Sequence, residues 1–235
     1  MRSERSGGKI SVRNGREDGA ATKALILETA GRLFAEHGYA DVTCRDICES
    51  AGTNMAAVNY HFGSREALYI TVLQQAHDSI FNLAHLRSIM HGDRRPEGKL
   101  ALFIDYLTDA IYCSEGWRLR VWGREMAMPS GLPNHCLHEN GMEKFRLLAA
   151  IIAEMTGLAA DHADMKFCVF NVMAPFMVLM TTSRKEPTPH RTVFESDRKT
   201  VAANMKKFIF AGLDAYLVAR GRSDIEERMP MEVSF

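Results

Sequence analysis

Little in this sequence marks a membrane span, a disulfide scaffold or a metal centre. No apolar run reaches the ~20 residues that a bilayer requires. The best candidate, 169–180, contains Asn171 and Pro175. The N-terminus lacks the apolar core of a signal peptide. The cysteines (Cys44, Cys48, Cys113, Cys136 and Cys168) are odd in number and scattered. That pattern fits reduced thiols in a cytoplasm and excludes a disulfide framework. There is no net charge, with 29 basic and 29 acidic side chains, so a non-specific nucleic-acid coat is excluded. A Gly-rich phosphate loop, a nucleophile elbow, a paired Cys-x-x-Cys and a His-Glu-x-x-His are all missing. His135, Cys136 and His138 could offer zinc ligands from one turn, with Cys113, His162 or Cys168 as a remote third. Without a paired motif they read as surface residues. No metal, no cofactor and no enzymatic activity are expected. No strand pattern appears either.

What is present is helical periodicity. In 22–37, Ile26, Ala30, Leu33 and Phe34 share one face, and Gly38 follows as a stop. Thr43 with Asp46 approximates a capping box, flanked by Val42 and Ile47 as a hydrophobic staple. Gly52 ends this second helix, and Thr53 is expected to cap a third. The third carries small residues, then Asn59, Tyr60 and His61, then Gly63. Small side chains let a helix approach a DNA groove closely, and the polar aromatic pair can bond phosphate oxygens. Ser64 caps a fourth helix at once. Three short helices with glycine corners in about 45 residues suit a helix-turn-helix.

These residues resemble the DNA-binding domain of the tetracycline-repressor (TetR/AcrR) family. The likeness is carried by Phe34, His37-Gly38-Tyr39, Val42-Thr43, Arg45-Asp46-Ile47, Ala51-Gly52, Val58, Tyr60-His61-Phe62 and Ser64 to Leu68. A weaker likeness, over 118–158, is to the C-terminal domains of the CecR-type subgroup. It rests on Trp122-Gly-Arg-Glu-Met126, Pro129 and the run Met155-Thr-Gly-Leu158. The resemblance implies an all-α fold of about nine helices. Its expected parts are a disordered N-terminal arm (1–20), a DNA-binding domain (21–66), a ligand-binding and dimerisation domain (67–222) and a C-terminal tail (223–235).

For the DNA-binding domain, Thr43, Thr53, Asn54, Ala56, Ala57, Asn59, Tyr60, His61 and Arg65 are expected to face DNA. Thr43 would donate to a phosphate, and Asn54 could read an adenine edge. Tyr60, His61 and Arg65 would clamp the backbone, while Val58 and Phe62 would be core. Met55 stands where the family often has a basic residue, and Asn59 where it often has Tyr. Residues 21–70 hold four bases against six acids, so binding must come from a few placed donors. The arm adds five bases against three acids, and reads either as a free tail or as a strap along a groove.

Beyond the fourth helix, read as continuous over 64–90, further helices are expected over 99–114, 116–128, 134–155, 161–182 and 191–220. Phe170, Met173 and Met180 form a stripe on the penultimate long helix. Met205, Phe208, Ile209, Gly212 and Tyr216 form another on the last. Two such helices from each of two subunits would build a four-helix dimer interface, unless the stripes are intramolecular core. Trp122, Arg124, Met126, Phe145, Phe170, Met173 and Met177 could line a pocket for a small-molecule effector. The resemblance therefore implies a homodimeric regulator on double-stranded operator DNA, released by a small molecule. The competing reading is a small-molecule or metal sensor whose DNA contact is secondary.

Overall fold

In the computed structural model, described for residues 10–113, 116–132, 135–182 and 191–217, the chain is helical with no strand among those residues. The helices are α1 (Ile10–His37), α2 (Cys44–Ala51), α3 (Met55–Phe62), α4 (Arg65–Ile80), α5 (Leu83–His91) and α6 (Pro96–Cys113). They continue with α7 (Trp117–Ala127), α8 (His135–Thr156), α9 (Met165–Thr181), α10 (Arg191–Glu195) and α11 (Arg198–Asp214). None is long and apolar enough to cross a membrane. The expected tail, residues 1–9 of the expected arm and the side chains of residues 10–17, His135 and Cys136 lie outside the described residues.

Three expected boundaries differ. The arm, expected to be disordered to residue 20, is helical from Ile10. Ala20, Ala21 and Ala24 are strong helix formers, and nothing at residue 20 interrupts them. The long helix of 64–90 stops at Ile80 and restarts at Leu83. Phe81 lies off the α4 apolar stripe yet is buried, its ring 5.2 Å from that of His77. Burying it requires the backbone to leave the helix, which it does with φ −120° and ψ 66°. The last helix splits because Asp197 caps α11 by accepting from the Lys199 and Thr200 amides at 3.0 and 3.1 Å. The Thr200 hydroxyl and amide hold this carboxylate below its usual range. Among the described residues, eleven helices therefore stand where about nine were expected in the whole chain.

The contacts divide the chain into two units. The first comprises 1–82, 110–138 and 179–183, which puts α4 and α7 with the DNA-binding helices and not with the second domain expected from residue 67. The reason is packing. Ile26, Phe34, Ile47, Val58, Leu68, Val72, Trp117 and Val121 share one core. Arg124 of α7 donates to the last carbonyls of α1, from Nη1 to Glu36 and Nη2 to His37, both at 3.2 Å. Gly38, with φ +89°, sits beneath that guanidinium, where a Cβ would come 2.8 Å from Arg124 Nε. Tyr69 of α4 donates to Glu125 at 2.8 Å, and Glu125 also accepts from the amide and hydroxyl of Ser130. Burial, then that bond, raises the Tyr69 pKa far above its ordinary value.

The second unit has its own core, including Leu100, Ile104, Leu107, Ile152, Val172, Phe176 and Leu213. Lys206 of α11 pairs with Asp105 of α6 at 2.6 Å, and Arg198 with Asp109 at 3.3 Å. Arg87 of α5 pairs with Glu143 of α8.

The contact of α1 with α7 yields a sharp prediction. A Cβ on Gly31 would fall 2.4 Å from the Trp117 indole, closer than atoms can approach. Gly31→Ala gains about 1 kcal/mol in helix propensity. Overpacking against a buried indole costs about 1–3 kcal/mol. Thermal unfolding should therefore show a net loss of about 1 kcal/mol, and a raised Tm would contradict the packing.

Candidate nucleic-acid interface

Residues 43–62 present one polar surface because each short helix is fastened at both ends. Thr43 accepts from the Asp46 amide at 3.2 Å, and Asp46 accepts from the Thr43 amide at 2.8 Å and its hydroxyl at 2.7 Å. Those bonds hold the Asp46 carboxyl below its usual range. The expected capping box is present, with Val42 and Ile47 buried around it. Gly52 closes α2 in the left-handed region at φ 62°, and the Thr53 amide behind it donates to the Cys48 carbonyl at 3.0 Å.

The cap of α3 is Asn54, not Thr53 as expected. Its Oδ1 accepts from the Ala57 amide at 2.9 Å. Asn54 is the better cap of the two, and its extended backbone starts the helix. Since that oxygen closes the helix, the donors Asn54 can offer a base or phosphate are its Nδ2 hydrogens.

On α3, Val58 is fully buried and Phe62 packs on the same core. Met55, Ala56, Asn59 and Tyr60 are exposed. This is one helical face in and one face out, with two small or flexible side chains ahead of two polar ones. Tyr60 is the extreme, 85% exposed, its ring standing edge-on to His61 at 5.0 Å. His61 is half-buried between Tyr60 and Phe62. Ala57 is half-buried against the core, so the close approach belongs to Ala56 more than to Ala57.

Arg65 is placed differently from the clamp expected of it. Its Nη1 donates to the carbonyls of Tyr39 at 2.9 Å and Val42 at 2.7 Å. Its guanidinium lies 4.1 Å from the Tyr39 ring centroid. It thus braces the loop that presents Thr43. Tyr39 in turn donates to Glu66 at 3.1 Å. Sequence reasoning missed this brace because it joins residues more than twenty apart, and no local pattern encodes it. It also missed Lys23, whose ammonium is 5.7 Å from the Phe62 ring centroid. Helical spacing carried that signal, since Lys23 precedes Ile26 and Leu27 on a helix already assigned.

A family profile described as bacterial regulatory proteins, tetR family, matches residues 26–72. That range begins in α1 and ends in α4, and it contains α2, α3 and the loop that Arg65 braces. Residues 26–72 of the chain therefore form a tetR-family DNA-binding domain. Its match to TtgR of Pseudomonas putida is 36% identical over 73 residues, 31% of this chain and 35% of that regulator. With CecR of Shigella flexneri it is 39% over 62 residues, 26% of this chain and 27% of that one. The chain thus aligns with about a third of such relatives' length. Solved structures extend the likeness of fold. A TetR-like regulator from Rhodococcus superposes with a TM-score of 0.63 at 13% identity, over 83% of this chain and 97% of that one. AibR, solved with isovaleryl coenzyme A and operator DNA, gives 0.62 at 15% identity over 80% and 98%. The chain thus carries a tetR-family DNA-binding domain at residues 26–72 and, over most of its length, shares the fold of tetR-like regulators.

The seven residues expected to line an effector pocket fall in both units. Trp122, Arg124 and Met126 lie on α7 in the first unit. Trp122 packs on the core 4.6 Å from the His77 ring, and Arg124 caps α1. Phe145 on α8 and Phe170, Met173 and Met177 on α9 belong to the second unit. Phe145 and Met173 are half-buried, and Phe170 and Met177 are exposed. The expected dimer residues divide too. Met180 and Ile209 are buried, Met205 and Tyr216 are half-buried, and Phe208 and Gly212 are exposed. In the second unit, α9 and α11 flank an open groove of about 440 Å³ that includes Asn171, Pro175, Phe208 and Gly212.

Proposed function

We propose that the protein is a homodimeric repressor that reads a pseudo-palindromic operator and is released by a small molecule. The observation that carries this reading is the outward face of α3, with Ala56, Asn59 and Tyr60 exposed on a helix locked by Asn54, Val58 and Phe62. One α3 from each subunit would enter successive major grooves. Ala56 admits the backbone, Asn54 and Asn59 offer base or phosphate donors, and Tyr60 and His61 contact phosphates with Thr53 ahead of α3, while Thr43, whose amide and hydroxyl both donate to Asp46, fixes the start of α2. Arg65 acts through the loop it braces and not as a direct clamp.

Dimerisation is assigned to the exposed side of α9 and α11. Phe170 is 59% and Phe208 79% exposed, an apolar surface of the kind that marks association. A Cβ on Gly212 would meet nothing within 4 Å, which leaves room there for a partner's side chains. The effector site is assigned to the second unit, with Phe145, Phe170, Met173 and Met177 as candidates. Trp122, Arg124 and Met126, expected in the same pocket, lie on α7 in the first unit. A fold shared with AibR, which was solved with both isovaleryl coenzyme A and operator DNA, supports an effector site and a DNA site on one chain. A coupling of a few kcal/mol suffices to switch operator affinity.

Selection of bound fragments from genomic DNA, followed by a gel shift, tests this reading. Enrichment of one pseudo-palindromic sequence is expected. No enrichment over bulk DNA would favour the sensor reading. Within the bound complex, Tyr60→Phe removes one donor and keeps the ring. It should weaken operator and unrelated duplexes alike by about 1 kcal/mol, because a phosphate contact carries no base information. Unchanged affinity across salt concentrations would remove Tyr60 from the contact set.

A further inference from the structure

The outward face of α3 carries neither lysine nor arginine, and none occurs from the Asn54 cap to Ser64. The arginines on either side belong to other helices and are engaged there. Arg45 pairs with Glu49 at 2.8 Å, and Arg65 donates to the Tyr39 and Val42 carbonyls. Guanine is most often read by arginine or lysine on its O6 and N7, and α3 offers neither. What the face does offer is narrower. Met55, the first residue of α3, is 44% exposed, an apolar side chain left in solvent. Asn59 is also exposed, and its side-chain amide makes no hydrogen bond among the described residues. Residues four apart are neighbours on one side of a helix, so Met55 and Asn59 form a column, with Ala56 and Tyr60 beside it. Asn54 is not an equivalent amide, because its Oδ1 is taken by the Ala57 amide at 2.9 Å. Of the two, Asn59 alone keeps both an acceptor and a donor, the pair that adenine N6 and N7 require. His61 is half-buried between Tyr60 and Phe62, at the far end of the helix.

We infer that Met55 and Asn59 are the base-reading column of α3, selecting an adenine and a nearby thymine, so that each operator half-site is read through A·T pairs. The inference rests on the DNA-binding reading above. Asn59 accepts from adenine N6 and donates to N7. The flexible thioether side chain of Met55 lies against the C5-methyl that thymine alone presents in the major groove. Four residues rise about 6 Å along a helix, and successive bases on a strand are about 3.4 Å apart. The two contacts therefore fall within about two base pairs of each other.

The test is selection from a randomised duplex library by the full-length protein, as wild type, M55A and N59A, followed by binding to duplexes altered at one group. The wild type should select A·T pairs at two positions within about two base pairs in each half-site. N59A should lose the adenine preference and keep the thymine, and M55A the converse. Deoxyuridine in place of that thymine removes only the methyl. It should weaken the wild type about fourfold per half-site, the worth of one buried methyl group, and leave M55A unchanged. 7-Deazaadenine removes only N7. It should weaken the wild type about fivefold per half-site and leave N59A unchanged. Selection of G·C pairs at both positions overturns the column, as does a uridine penalty equal in the wild type and M55A. A loss in M55A that is the same for every sequence also overturns it, and would assign Met55 to holding α3 in place. Wild-type protein that enriches no sequence would instead defeat the DNA-binding reading itself, a result distinct from the others.

Discussion

Ala56→Glu should abolish operator binding while leaving the fold intact or slightly firmer. Ala56 is exposed and follows the Asn54 cap by two positions, in the first turn of α3. A carboxylate there is favoured by the helix dipole, and Glu forms helix nearly as well as Ala. The monomer therefore has no reason to unfold. In the complex, the same carboxylate would be forced toward phosphates. Like-charge juxtaposition at an interface costs several kcal/mol, so the loss should exceed about 100-fold. Ala57→Glu would be a poorer test, because Ala57 leans on the core and its loss could be read as misfolding. Normal circular dichroism with an undiminished gel shift for Ala56→Glu would place the groove-facing surface elsewhere.

Phe208→Arg should push the protein to monomer and weaken the operator complex by about two orders of magnitude without altering any DNA-facing residue. Linking two heads makes the second contact intramolecular, at an effective concentration that raises avidity ~10²–10⁴-fold. A monomer loses that gain. The position matters. Ile209 lies on the same sequence stripe but is 4% exposed, so arginine there would break the core of its own subunit. Phe208, 79% exposed, carries the test cleanly. Light scattering that still reports a dimer for Phe208→Arg would assign the α11 face to something other than assembly.

The parts legible in the sequence were those that local physics encodes. Thr43 with Asp46, the stop at Gly38 and the buried Val58 follow from caps, positive φ and helical period, and each appears as expected. The misplacements share a different cause. Asn54 and Thr53 are both good caps, and spacing alone could not choose between adjacent candidates. The break at Phe81 has no glycine or proline to announce it, and arises from where one aromatic ring must be buried. Arg65 and Arg124 look like free surface cations in sequence. Both are spent on backbone carbonyls far along the chain, a long-range match no window can show. The same limit hides the packing of α7 on α1 and α4, which no local pattern announces.

The most direct test of the central claim is a hydroxyl-radical footprint of the full-length protein on a genomic fragment it selects, with Ala56→Glu alongside. The account predicts two protected half-sites related by a two-fold axis. Their centres should lie about 10–10.5 base pairs apart, or a multiple of that, as α3 helices in successive major grooves require. Protection should vanish with Ala56→Glu. A single unpaired footprint, or one that Ala56→Glu leaves unchanged, would contradict it.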